Sequence, residues 1–185
     1  MLRSVAAMLS RPVTTDHVLR AMVDAVVEAL EAERGTLYLR DARTGELCSK
    51  VAHLPELREI RLPPGRGLAG RVAESGEIVL RDDVRADQGF FAGIDEQTGY
   101  RTRSMLAVPV KDDRGGVCGV LQVLHRRAGA FDARDRKLIV ELAAQVAEAL
   151  ARTSMRPEGD RGLVLDAPFS TIIGSSPAML DLYGR

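Results

Sequence analysis

At 185 residues, with 45% hydrophobic and 28% charged side chains, the chain can hold one domain with a sizeable core plus a tail. That balance belongs to globular rather than disordered chains. Lys plus Arg equals Asp plus Glu at 26 each, so no net field draws this segment to nucleic acid or to an anionic membrane, and direct nucleic-acid binding by it is not expected.

No apolar run approaches the roughly 20 residues of a membrane helix. The opening MLRSVAAMLSRP is too broken by Ser4 and Arg11 to serve as a signal peptide, and the reading is of a cytoplasmic protein. Residues 1–14 form an extension. From Thr15 to about Glu33, Val18, Leu19, Met22, Val23, Val26, Val27 and Leu30 recur at helical spacing. Thr14, Thr15 and Asp16 offer N-caps, and Gly35 is expected to close the helix. Its apolar stripe is wide enough to cover a sheet and leave an edge for a partner helix.

Two strand-like runs, Thr36 to Arg40 and Glu46 to His53, flank DARTGE, which reads as a hairpin turn. A loop-rich stretch around Pro55, Pro63 and Pro64 leads to a short helix, Leu68 to Glu74, ended by Gly76. GRGLAG, at 65–70, lacks the Lys-Ser/Thr ending of a phosphate cradle and reads as the turn into that helix. EIVLRDD is a brief strand. Two further strands, Ser104 to Lys111 and Val117 to His125, are joined by DDRGG. The second is almost continuously apolar, as expected of a strand covered on both faces. A last helix starts at Asp132, with Asp135 in its acidic first turn, and buries Leu138, Ile139, Leu142, Val146, Ala149 and Leu150. RTSMRPEGDRG is a polar linker. The order predicts an antiparallel sheet flanked by helices, an α+β (α/β-layer) arrangement.

Cys48 and Cys118 lie far apart, without metal-type spacing, and read as two buried thiols. His17, His53 and His125 are scattered, and no metal site is expected. Between the middle strands, FFAGIDEQTGY places Asp95 and Glu96 beside an aromatic pair. Three readings stand for these carboxylates: a solvated helix start, a lid element over a ligand, or an acid–base pair.

Several phrases in order, GTLYLRDARTGEL, GRGLAGRVAESGEIVLRDDVRAD, SMLAVPVKDDRGGVCGVLQVLHR and FDARDRKLIVELAAQVAEAL, resemble the GAF domain, a small-molecule sensing and dimerisation module. The resemblance covers residues 15–152 and implies a GAF fold with a central antiparallel sheet of about six strands between helices. It implies a small-molecule effector beneath a roof formed by Asp82 to Thr102. Cyclic-nucleotide-binding members carry Asn-Lys, a gap of two, Phe, a gap of three, then Asp-Glu, usually followed by Thr-Gly-Tyr. Here Phe91, Asp95-Glu96 and Thr98-Gly99-Tyr100 match, whereas Asp87-Gln88 replaces Asn-Lys. In the family the Lys latches the Asp; Gln88 removes that cation, and Arg81, Arg85 and Arg101 are the local substitutes. The cofactor is unassigned, with cyclic nucleotide one candidate. The site residues implied are Arg81, Asp83, Phe91, Asp95, Glu96, Thr98 and Tyr100, and a homodimer interface would use Val23, Val27, Leu142, Val146 and Leu150.

After a linker at 153–167, the tail FSTIIGSSPAMLDLYGR resembles the start of the AAA+ domain of sigma-54-dependent transcriptional activators, over residues 168–185, and stops before a phosphate-binding loop. That resemblance implies a non-enzymatic sensor fragment controlling an AAA+ ATPase in the same parent chain, which would contact sigma-54 RNA polymerase. Two alternatives remain open: a GAF module that binds no ligand and serves dimerisation or protein contact, and a thiol-based free methionine sulfoxide reductase of GAF fold.

Overall fold

The computed structural model describes residues 15–152, except 55 and 58, together with 171 and 172. Helix α1 (Thr15–Ala29) is followed by β1 (Ala32–Arg40), β2 (Leu47–Ala52), β3 (Arg61–Leu62), α2 (Gly67–Ser75) and β4 (Val79–Arg81). A 3-10 turn (Val84–Ala86), α3 (Gly93–Thr98), β5 (Met105–Lys111), β6 (Val117–Arg126) and α4 (Ala133–Ala151) complete the domain. A two-residue strand, β7 (Thr171–Ile172), comes after it.

The sheet runs β3-β2-β1-β6-β5-β4, each neighbour antiparallel to the next. This is the six-stranded α+β architecture expected. Its two hairpins use one device. Asp41 Oδ1 accepts from the N–H groups of Arg43 and Thr44, and Asp112 Oδ1 from those of Arg114 and Gly116. Each turn then passes through a left-handed glycine, Gly45 at φ 74° and Gly115 at φ 82°.

Strand β6 sits beside β1 in the middle of the sheet and divides its side chains between two cores. Leu121 and Val123 face α1 and α4, packing with Leu19, Val26, Ile139 and Val146. Val120 and Leu124 face the other way, with Tyr38, Leu68, Val72 and Met105. Burial on both faces explains why its sequence reads as one apolar run rather than as an alternation. Near its start, Val110 pairs with Gly119 and Lys111 with Val117. Cys118 is therefore the extra residue of a bulge, and it is carried into the helix-side core.

Helix α1 ends earlier than its apolar spacing suggests. Glu31 adopts φ 50°, and β1 begins at Ala32, so Gly35 lies inside a strand instead of capping the helix. Gly35 is there for room: a Cβ on it would come 2.5 Å from Val27 Cγ2. The other helix ends follow the sequence. Gly76 closes α2 in the left-handed conformation at φ 67°. Asp132 and Asp135 form a reciprocal capping box at α4, with Asp132 N–H donating to Asp135 Oδ2 at 2.9 Å.

Residues 1–14, the whole linker and all but two residues of the predicted AAA+ start lie outside the described residues. Within that tail, Thr171 and Ile172 pair in parallel with Val51 and Ala52 of β2.

The tightest point of the sheet is Gly119, where a Cβ would sit 2.4 Å from the Tyr38 carbonyl oxygen. Backbone cannot retreat as a side-chain tip can, so Gly119→Ala is expected to cost about 1–3 kcal/mol. A urea denaturation midpoint equal to that of the unmutated domain would show that the β1–β6 spacing is not limiting.

Candidate functional site

Beyond β4 the chain leaves the sheet at Asp82 and returns at Met105, roofing the face opposite α1 and α4. The roof is pinned at three points. The first is Asp87, which accepts from Arg71 Nη2 at 2.7 Å, from Arg81 Nε at 2.8 Å and from the Gly89 N–H at 2.9 Å. These donors, the Gly89 amide foremost, lower its pKa from 3.8 to about 2.

The second pin is Asp95, on α3, which is buried. Thr102 donates to it twice, from its backbone N–H at 2.8 Å and from its hydroxyl at 2.6 Å. Arg85 donates to its Oδ2 at 3.0 Å. Of the three arginines near the motif, Arg85 supplies the cation that Gln88 lacks. Arg81 is committed to Asp87 and the Leu80 carbonyl, and Arg101 is exposed. The latch is thus charge-assisted and stronger than the glutamine substitution by itself implies. Gln88 is exposed.

The third pin is Tyr100. The Arg103 backbone N–H donates to His125 Nε2, which leaves the ring proton on Nδ1, 3.1 Å from the Tyr100 hydroxyl. That hydroxyl in turn donates to Glu33 Oε2 at 3.0 Å. The Arg34 guanidinium stacks 3.8 Å above the Tyr100 ring. Burial, reinforced by Glu33, pushes the phenol well above its ordinary pKa and keeps it a neutral donor.

Under this roof lies an apolar cavity lined by Leu68, Phe90, Phe91, Ile94 and Met105 among others, with Asp95, Thr98, Thr102 and Gln122 as its polar members. Gln122 is only 6% exposed, and its amide makes no hydrogen bond among the described residues. The side of the cavity nearest α2 is its first turn, Gly67 to Ala69. The GRGLAG segment does act as the turn into that helix, with Gly65 at φ 69° and Gly67 at φ 73°. The cavity is open on one side, and its volume is about 50 Å³. That holds a few waters, whereas small-molecule pockets usually span ~300–1,000 Å³. Phe91 lies against Gly93, where a Cβ would come 2.4 Å from its ring, and beneath the Arg66 guanidinium at 4.5 Å.

Of the residues the motif singled out, Phe91, Asp95, Thr98 and Tyr100 line this cavity. Arg81, Asp83 and Glu96 do not. Arg81 holds Asp87, Asp83 accepts from the Arg85 N–H on the outside of the roof, and Glu96 is exposed. One step along a helix turns a side chain by about 100°, so neighbours Asp95 and Glu96 diverge and form no opposed acid–base pair. Sequence reasoning missed Gln122, hidden inside an apolar strand, and the Glu33–Tyr100–His125 chain, whose members are far apart in sequence.

The helix-edge residues also sort themselves. Val23, Val146 and Leu150 are fully buried against the chain's own sheet and are not available to a partner, because they occupy the inward side of the stripe. Val27 and Leu142 are half-buried. The open apolar surface between α1 and α4 is a groove of about 380 Å³ formed by Val18, Ala21, Met22, Ala25 and Leu142, with His17 and Gln145 at its margins.

A family model described as GAF domain matches residues 14–150. The chain belongs to the GAF family. Among solved GAF structures, that from a Coxiella burnetii phosphoenolpyruvate-protein phosphotransferase superposes with a TM-score of 0.68 at 22% identity, over 81% of this chain and 90% of that one. A free methionine-R-sulfoxide reductase from Neisseria meningitidis, solved with its substrate, gives 0.63 at 26% identity, over 80% and 84%. By sequence, the domain is 37% identical over 126 residues to the Drosophila melanogaster dual 3′,5′-cyclic-AMP and -GMP phosphodiesterase 11, covering 59% of this chain and 9% of that protein. It is 27% identical over 135 residues to a probable 3′,5′-cyclic phosphodiesterase, pde-5, of Caenorhabditis elegans, covering 66% and 18%. The chain thus spans less than a fifth of these curated relatives. No helix among the described residues is long and apolar enough to cross a membrane.

Neither cysteine of this GAF domain lines the cavity. Both are buried, and desolvation raises each thiol to about 11, which suppresses the thiolate.

A carboxylate with a depressed pKa stabilises the fold above its unfolded pKa, and that contribution is lost as pH falls through the folded value. Asp87 should therefore make the domain lose stability between pH 3.8 and about 2. Thermal midpoints measured across that window should fall more steeply for the unmutated domain than for Asp87→Asn. Parallel curves would mean that this anchor contributes nothing.

Proposed function

We propose that this GAF domain is a regulatory module that senses a small molecule beneath the Asp87–Tyr100 roof and reports it through a dimer of its terminal helices. The observation that carries the reading is the latch: a buried Asp95 carboxylate with three donors, closing a segment over a cavity into which the unpaired Gln122 amide projects. An amide at the cavity wall with no protein partner is open to a ligand that can donate to or accept from it. A hinged segment tied at a few charged points can release and re-form as a unit.

A cyclic nucleotide is the leading candidate, supported by the spacing of Phe91, Asp95, Glu96 and Thr98 and by the names of the phosphodiesterase relatives. With only about 50 Å³ of volume, a nucleotide-sized occupant requires the roof over the cavity to move. The same small volume favours a second reading, a GAF module filled by its own side chains that serves dimerisation alone. A reductase mechanism draws no support from two high-pKa thiols outside the cavity.

Titration calorimetry with cyclic GMP and cyclic AMP separates these. We expect heat with at least one, and a loss of affinity of about tenfold or more in Asp95→Ala, since a charge-assisted tether holds the closed lid. No heat with either would remove cyclic nucleotides. Amide exchange at 90–100 as slow as in β1 and β6 would remove the lid itself.

The parent is proposed to be a sigma-54-dependent activator. That proposal rests on the sequence of residues 168–185. In such a protein a ligand acts only through its differential affinity for two arrangements of the dimer, which the linker would pass to the ATPase.

The partner surface is the apolar groove between α1 and α4, with a second copy as its occupant. Val18 is 38% exposed, so Val18→Glu should leave the monomer folded while placing an unpaired charge in the interface. Light scattering should show a dimer at micromolar concentration that this substitution weakens about tenfold or more. A monomer before mutation would end the idea.

A further inference from the structure

Outside the roof, on the far side of Asp95 from the cavity, is a cleft of about 490 Å³ that the sensing role does not use. Its walls are Asp83, Arg85, Arg101, Thr102, Arg103 and His125. Three arginines and the Asp83 carboxylate meet there.

The backbone builds this arrangement. Residues 101–104 lead into β5 with alternating burial, exposed at 101 and 103 and buried at 102 and 104. Thr102 points inward to Asp95, and Arg101 and Arg103 point outward together. The Val84 N–H donates to the Arg103 carbonyl at 2.7 Å, which fixes the 3-10 turn, and hence Arg85, beside them. The Arg103 N–H is held by His125, whose φ of 48° is the unusual backbone that brings its ring under the segment.

The donors are largely uncommitted. The side chains of Arg101 and Arg103 are exposed and make no hydrogen bond or ion pair among the described residues. Arg85 gives one nitrogen to Asp95, leaving most of its five N–H donors free. Asp83 is partly occupied by the Arg85 N–H at 3.0 Å. Asp95 is paired with Arg85, and Asp83 is the one further acid in the wall, so Arg101 and Arg103 are left without a carboxylate partner among the described residues. His125 adds no donor, since Nε2 accepts from Arg103 and Nδ1 faces Tyr100.

We propose that this outer cleft is a second ligand site, for a small phosphoanion of two or more charges. Arginine forks match phosphate oxygens in pairs, and a multiply charged anion can meet both unpaired forks, Arg101 and Arg103, where a single carboxylate would engage only one. The occupant would share Arg85 with the Asp95 latch while lying outside the roof, so its site is distinct from the cavity beneath.

Pyrophosphate is the probe. In the full chain at constant ionic strength, we expect it to raise the thermal midpoint by about 3–5 °C at ten times its dissociation constant. The double substitution Arg101→Gln, Arg103→Gln should abolish the rise and lower calorimetric affinity at least tenfold. Arg101→Lys, Arg103→Lys, which keeps the charge but not the fork, should retain part of it. Neither variant touches Asp95 or the cavity lining, so the midpoint without anion should stay unchanged. The proposal is overturned if pyrophosphate does no more than sodium chloride of equal ionic strength, if the Gln variant responds as the unmutated chain does, or if citrate matches pyrophosphate.

Discussion

The structure depends on the antiparallel pairing of β1 with β6 and on the burial of that pair from both sides. Once two neighbouring strands must be covered above and below, the rest of the chain is divided. Two long helices can roof one face, because α1 and α4 each carry a continuous apolar stripe. The other face receives the short α2, the segment between β4 and β5, and Leu54, Ile60 and Leu62 from the stretch before α2. That second cover is thinner and is fastened by ion pairs and hydrogen bonds as much as by packing. A protein needs this asymmetry if one face is to be permanent and the other is to open.

The fastening has its own logic. Asp87, Asp95 and Tyr100 anchor the roof at its start, middle and end, and each reaches a different part of the scaffold: α2 and β4, the approach to β5, and the β1–β6 pair. Charge-assisted hydrogen bonds suit such a role, since they are strong when aligned and can be exchanged for water or ligand without rebuilding a core. Apolar packing by Phe90, Phe91 and Ile94 closes the gaps between the anchors and leaves little free volume. Arg85 links the two sides of the roof. Its guanidinium touches Asp95 and also walls the outer cleft, so one residue belongs to both the latch and the exterior.

The helix pair on the other face shows how burial and association compete for the same side chains. Val23, Val146 and Leu150 face the sheet and are used up in the monomer, while Val18, Met22 and Leu142 border an open groove. A wide apolar stripe thus serves two surfaces, and its inner residues cannot also serve the outer one.

The sequence by itself determined what depends on local chemistry or on period. Asp132 with Asp135, Gly76, the Asp41 and Asp112 turns and the unbroken apolar run of β6 could all be read directly, because caps, turns and two-faced burial write themselves into adjacent residues. The order of these elements was enough for the layer class, and the resemblance of Phe91, Asp95, Thr98 and Tyr100 to the family's signature was what located the roof. Only the tertiary structure decided that Gly35 lies in a strand, that Arg85 rather than Arg81 or Arg101 holds Asp95, and that Glu96 turns away. It also decided that Gln122 looks into the cavity and that Arg101 and Arg103 meet Arg85 outside it. Those outcomes turn on which side chains, distant along the chain, arrive at the same place with the right direction. Periodicity fixes the face a residue occupies but not the partner it meets there.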